Sequence, residues 1–113
     1  MNEIIELLKQ ARAKIDGGWC MGANARDEHG KPVNANDKTA CSWCIVGVTY
    51  AVSTPLAAHQ LQHELVLSES LEEYNYQLSS FNDHPGTTKD KVLALFTETI
   101  ERLEKQYEEA GVA

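Results

Sequence analysis

Along the first sixteen residues, apolar side chains recur at helical spacing. Ile4, Ile5, Leu7, Leu8, Ala11 and Ile15 fall on one side, with Glu3, Glu6, Lys9, Arg12 and Lys14 on the other. This predicts an amphipathic helix over 3–15, ended by Asp16-Gly17-Gly18, where glycine supplies the left-handed turn. The pattern fades over 19–36. There Ala25-Arg26-Asp27, a turn at Glu28-His29-Gly30-Lys31, and Pro32-Val33 predict irregular chain with one short hairpin near 23–34.

From 38 to 52 the chain is apolar nearly all round, the signature of a buried helix, with Asn36 or Asp37 as its cap and Cys41, Trp43, Cys44, Val48 and Tyr50 inside it. Thr54-Pro55 predicts the start of a third helix running to about Leu67, since proline at the first helical position loses no hydrogen bond. Ser70 to Leu78 reads as a short fourth helix or a helical turn, and Ser79 to Gly86 as a loop. Thr87-Thr88-Lys89-Asp90 resembles a capping box with Asp in the Glu position. A final helix over 88–109 then turns Val92, Leu93, Leu95, Phe96, Ile100, Leu103 and Tyr107 inward. The sum is a mainly α fold: one domain over 1–113, a compact bundle of four to five helices with room for one hairpin.

Composition narrows the function classes. Hydrophobic residues at 42% and charged residues at 24% are ordinary for a globular chain and argue against disorder. The longest charge-free apolar run, Cys44 to Val52, falls far short of the ~20 residues a membrane span needs. The opening Met1-Asn2-Glu3-Ile4-Ile5-Glu6 lacks the basic and apolar regions of a secretory signal, so a cytoplasmic location and reduced thiols are expected. Seventeen acids against ten basic residues give a net charge of −7. That disfavours phosphate backbones as partners and favours a basic protein surface. The acids do not form the dense runs of a nucleic-acid mimic.

Three patches stand out because helix building does not require them: Gly18-Trp19-Cys20-Met21-Gly22, Cys41-Ser42-Trp43-Cys44 with Gly47, and Phe81-Asn82-Asp83-His84-Pro85-Gly86. Together they hold both tryptophans and all three cysteines, and one shared location is expected for them. Cys41 and Cys44 form a C-x2-C pair that Cys20 and a histidine would complete as a zinc site. The bland alternative is buried apolar thiols. A thioredoxin-type redox role lacks its βαβ setting. His59 and His63 stand at i and i+4, on one helix face, but no third ligand lies near in sequence, and solvent-facing histidines are the default.

Asn82-Asp83 before His84-Pro85-Gly86 carries two readings. One is a loop lock that sets up the last helix. The other makes Asp83 a carboxylate in a cleft, paired with Arg26 or His84, as ligand anchor or general base. Arg26-Asp27 is likewise a local ion pair or one wall of that cleft. Trp19 and Trp43 either pack the core or stack on a ligand. Neither glycine-rich phosphate loop is present, and no serine, histidine and acid are ordered as a triad.

In this order the patches resemble an uncharacterised family of small bacterial and phage proteins, a domain of unknown function. The segments that carry the likeness are Gly18-Trp19-Cys20-Met21-Gly22, Ala25-Arg26-Asp27, Gly30-Lys31-Pro32-Val33, Trp43-Cys44-Ile45-Val46-Gly47 and Asn82-Asp83-His84-Pro85-Gly86. They span nearly the whole chain. Phe81 stands where the pattern has tryptophan, and Cys41 lies outside the pattern. The resemblance brings no activity with it.

The expected function is therefore a small acidic protein-binding module, encoded by a phage or mobile element and acting on a host protein or host defence, without a cofactor. A homodimer through the apolar helix is a further expectation. The alternatives are a small-molecule or nucleotide binder, with enzymatic action included, using a cleft of Trp19, Arg26, Asp27, Trp43, Asn82 and Asp83, and a zinc-stabilised domain using Cys20, Cys41 and Cys44.

Overall fold

A computed structural model of the protein describes residues 2–112; Met1 and Ala113, the ends of the predicted domain, lie outside them. Helix α1 (Asn2–Gly17) buries Ile5, Leu8, Ala11 and Ile15, the stripe its spacing predicts. It packs along the long helix α5 (Lys89–Tyr107), which buries Val92, Leu95, Phe96, Thr99, Ile100 and Leu103. Leu93 is only partly buried. Arg12 Nη1 donates to Thr97 Oγ1 at 3.2 Å and ties the two helices at their half-exposed edge.

Helix α2 (Ile45–Val52) crosses α1, and α3 (Pro55–Val66) follows it after a two-residue corner. Thr54 Oγ1 accepts from Ala57 N, and Pro55 opens α3, as the sequence predicts. A 3-10 turn (Glu69–Tyr74) follows, then the short helix α4 (Leu78–Asn82), which leans on α2. Ile45, Val48, Leu61, Leu65, Leu71 and Phe81 complete one core with α1 and α5.

The fold is mainly α, with a small antiparallel sheet of β1 (Ala25–Arg26), β2 (Pro32–Val33) and β3 (Ser42–Trp43), in the order β2-β1-β3. Ala25 lies opposite Val33 on one side and Trp43 on the other. The predicted hairpin is therefore present, and a third strand joins it. A parallel bridge between Trp19 and Trp43 continues this backbone pairing toward the end of α1.

Four local expectations are corrected. The second helix begins at Ile45 rather than 38, because Ser42-Trp43 pairs with β1 and is extended. Its cap is Cys44, whose Sγ accepts from Gly47 N at 3.2 Å; Asp37 instead closes a local turn onto Thr39. The fourth stretch is a 3-10 turn, one of the two forms expected, but residues 79–82, expected in a loop, belong to α4 because Leu78 and Phe81 are drawn into the core. The last helix is capped by Thr88, which accepts from Lys91 N, while the Thr87 hydroxyl is buried and donates to the Phe81 carbonyl. Among the described residues, no helix is long and apolar enough to cross a membrane.

Candidate functional site

The three patches meet at the side chain of Asn82, which is 1% exposed. Its Oδ1 accepts from Trp19 Nε1 at 2.8 Å and from Ile45 N at 3.1 Å. Its Nδ2 donates to the Cys20 carbonyl at 3.1 Å and to Asp83 Oδ1 at 2.9 Å. Two acceptor and two donor bonds exhaust the capacity of a carboxamide. One amide thus joins the turn after α1, the first peptide of α2 and the end of α4. The Ile45 N–H is one of the donors a helix start leaves unpaired, and Asn82 satisfies it from outside the helix.

Two glycines allow this convergence. A Cβ at Gly47 would overlap the Asn24 carbonyl oxygen, and one at Gly18 would overlap that of Cys41. The residue before β1 can approach α2, and the residue before β3 the end of α1, so closely only where no side chain intervenes.

The predicted site residues divide. Trp19, Asn82 and Asp83 come together. Asp83 Oδ1 accepts from Gly22 N at 3.0 Å, so Asp83 fastens the first patch to the third. It makes no ion pair among the described residues. The expected pairing with Arg26 or His84 is corrected. Arg26 donates Nε and Nη2 to the Met21 carbonyl and Nη1 to that of Gly30. His84 Nδ1 accepts from Gly86 N, and its ring meets Tyr74 edge-on. Trp43 points elsewhere. Its Nε1 donates to the Ala35 carbonyl at 3.0 Å, and Lys14 Nζ sits 4.5 Å from its ring centre. Asp27 closes the hairpin turn by accepting from His29 N and Lys31 N at 2.9 Å each. These backbone bonds, that of Lys31 foremost, hold its carboxyl below the ordinary value.

Cys20 and Cys44 are buried free thiols, and Cys41 is exposed, which corrects its placement inside a buried helix. Burial pushes both the Cys20 and Cys44 thiols up. At Cys44 this outweighs the donor from Gly47 at the α2 N-terminus, so the thiol stays protonated where a redox cysteine would ionise. Among the described residues, no three His, Cys, Asp or Glu side chains gather as a metal would require. Phe81 is 4% exposed with its ring centre 5.1 Å from that of Tyr74. This is a packing position that needs no indole N–H.

Beside Asn82 lies a cleft of about 190 Å³, walled by Gly22, Asn24, Cys44, Val46, Ser79 and Asp83. Of the six residues expected to line one cleft, Asn82 and Asp83 line this one. Val46 and Ser79 also border a second depression of about 360 Å³ over α3, and His59 and His63 separate that one from a third of about 500 Å³. The third is floored by Ile4 and Leu56, with Leu56 73% exposed. Neighbouring depressions share lining residues, so the three follow one another from Asp83 across α3 as a trough interrupted at His59 and His63. The sequence marked His59 and His63, both exposed, but nothing in it marked Leu56, Val46 or Ser79 as neighbours along a trough.

Residues 1–102 match the family of unknown function DUF6197, and the chain belongs to that family. No curated protein and no solved structure matches the chain.

Proposed function

We propose that this protein is a small protein-binding module that holds a segment of a host protein in the trough along α3. The observation that carries this reading is the form of the trough: three depressions with shared walls, apolar at the Leu56 end and acidic at the Asp83 end. Such a surface suits an extended partner segment better than a single small molecule. Pockets for drug-sized ligands run about 300–1,000 Å³ and enclose most of the ligand. The 190 Å³ cleft at Asn82 is below that range, and the depressions of about 360 and 500 Å³ fall within it but lie open and do not enclose a ligand.

The chemistry of the patches points the same way. Both indole N–H groups, the Arg26 guanidinium and all four Asn82 bonds are taken up within the protein. Little is left there for a substrate or a stacked base. The net charge of −7 favours a partner surface with basic side chains around an apolar anchor. Phage or mobile-element encoding extends the reading and rests on the resemblance to small bacterial and phage proteins; a cytoplasmic site of action belongs to the same proposal.

The test is retention of a partner from bacterial lysate by the wild-type protein and by Leu56→Glu. Leu56 is exposed, so the variant is expected to melt like wild type. The reading predicts one partner held in stoichiometric amount by wild type and lost by Leu56→Glu, with wild-type retention weakening as salt rises. Retention that ignores both the substitution and salt, or no retained partner at all, would count against it.

A further inference from the structure

We infer that the cleft at Asp83 is a receptor for the guanidinium head of an arginine side chain. The site is built from acceptors. Asp83 Oδ1 is fixed by Gly22 N and Asn82 Nδ2, which sets the carboxylate plane and leaves Oδ2 without a protein partner among the described residues. Ser79 and Asn24, each with a neutral side-chain oxygen, line the same cleft. Among the described residues, Asn24 Oδ1 accepts only from the weak thiol donor of Cys44, at 3.9 Å. A carboxylate anchored through one oxygen, in a cleft whose other lining residues include two with neutral side-chain oxygens, suits a planar cation with several donors. Guanidinium has that fork geometry, and an ammonium group is a point charge that does not.

Charge and size agree with this assignment. Asp83 has no ion-pair partner among the described residues, and its negative charge contributes to raising both neighbouring thiols. Arg26 is turned to the Met21 and Gly30 carbonyls and not to Asp83. A cleft of about 190 Å³ is suited to a side-chain head and is smaller than the pockets that enclose drug-sized ligands. The inference rests on the protein-binding reading only for the source of the arginine, which would come from the segment lying in the trough.

The probe needs no partner protein: Nα-acetyl-arginine amide is titrated against the isotope-labelled protein by NMR, beside the neutral citrulline and the ammonium-bearing lysine analogues. The expected result is shifts centred on Gly22, Asn24 and the Asn82 side-chain amide, with arginine about tenfold tighter than citrulline, the worth of one charge-assisted hydrogen bond. Lysine should also bind more weakly than arginine. Asp83→Asn, which keeps the acceptor for Gly22, should remove the preference for arginine. Ser79→Phe, which fills the cleft and leaves the charge, should remove binding; this second variant holds the test open should the first fail to fold. Equal response to arginine and citrulline, equal response to lysine, or binding that survives Ser79→Phe would each overturn the assignment. A partner retained through Leu56 by a protein indifferent to arginine would overturn this inference alone. Arginine binding without any retained partner would overturn only the reading it rests on.

Discussion

Trp19 Nε1 donates to Asn82 Oδ1 at 2.8 Å across 63 residues of chain. The bond links the turn after α1 to the end of α4, and it is half of what the Asn82 oxygen accepts, since Ile45 N supplies the rest. Replacing Trp19 by Phe keeps most of the apolar packing and removes the donor. The oxygen retains one partner, so the expected loss is modest, about 1 kcal/mol in urea unfolding.

Gly47 is constrained more severely. An added methyl group would meet the backbone of Asn24, which is not a flexible side chain that can swing aside. Gly47→Ala is expected to destabilise by about 1–3 kcal/mol through overpacking, despite the higher helix propensity of alanine. Thermal unfolding checks it, and a stabilised variant would mean that Asn24 and Gly47 lie further apart than in this structure.

The thiols should separate by reactivity. At neutral pH a disulfide reagent is expected to modify Cys41 quickly, and Cys20 and Cys44 only on unfolding, because burial keeps those two protonated. The same shifts give a direction for stability. Both folded values lie above the ordinary 9.0, so their contribution is complete below that pH and is lost as pH rises through the folded values. Unfolding followed from pH 7 upward should show the decline, and Cys44→Ala should flatten part of it.

Asp27 behaves in the opposite sense. Its folded value lies below the ordinary 3.8, so the hold it gives the hairpin turn is complete above that pH and is lost as pH falls through the folded value. Acid titration by NMR should therefore loosen Gly30 and Lys31 before the helices respond. Asp27→Asn should show the loosened turn already at neutral pH.

Much of this architecture is legible in the sequence. α1, α3 and α5 follow from their apolar spacing and from Thr54-Pro55, and the Asn82-Asp83 turn draws attention as a lock. Other parts are not legible, for identifiable reasons. Cys41-Ser42-Trp43 is apolar enough to read as buried helix, and a two-residue strand has no period to contradict it. α4 is hidden by Ser79, Ser80, Asn82 and Asp83, all turn formers, and is helical because the core claims Leu78 and Phe81. Arg26 and Asp83 attract each other on paper. The carbonyls of Met21 and Gly30 meet the guanidinium first, and such competition between backbone and side-chain partners leaves no trace in spacing. The trough is a relation between α2, α3 and α4 and exists only after they pack.

The most direct measurement is the unfolding free energy of Asn82→Ala in urea. If Asn82 is the node that joins the three patches, its loss leaves the Trp19 and Ile45 N–H groups and the Cys20 carbonyl without that partner in a buried setting. The expected cost is about 3 kcal/mol or more. A variant within about 0.5 kcal/mol of wild type, the range of an ordinary surface change, would contradict the node and return Asn82 to the list of residues available for a ligand.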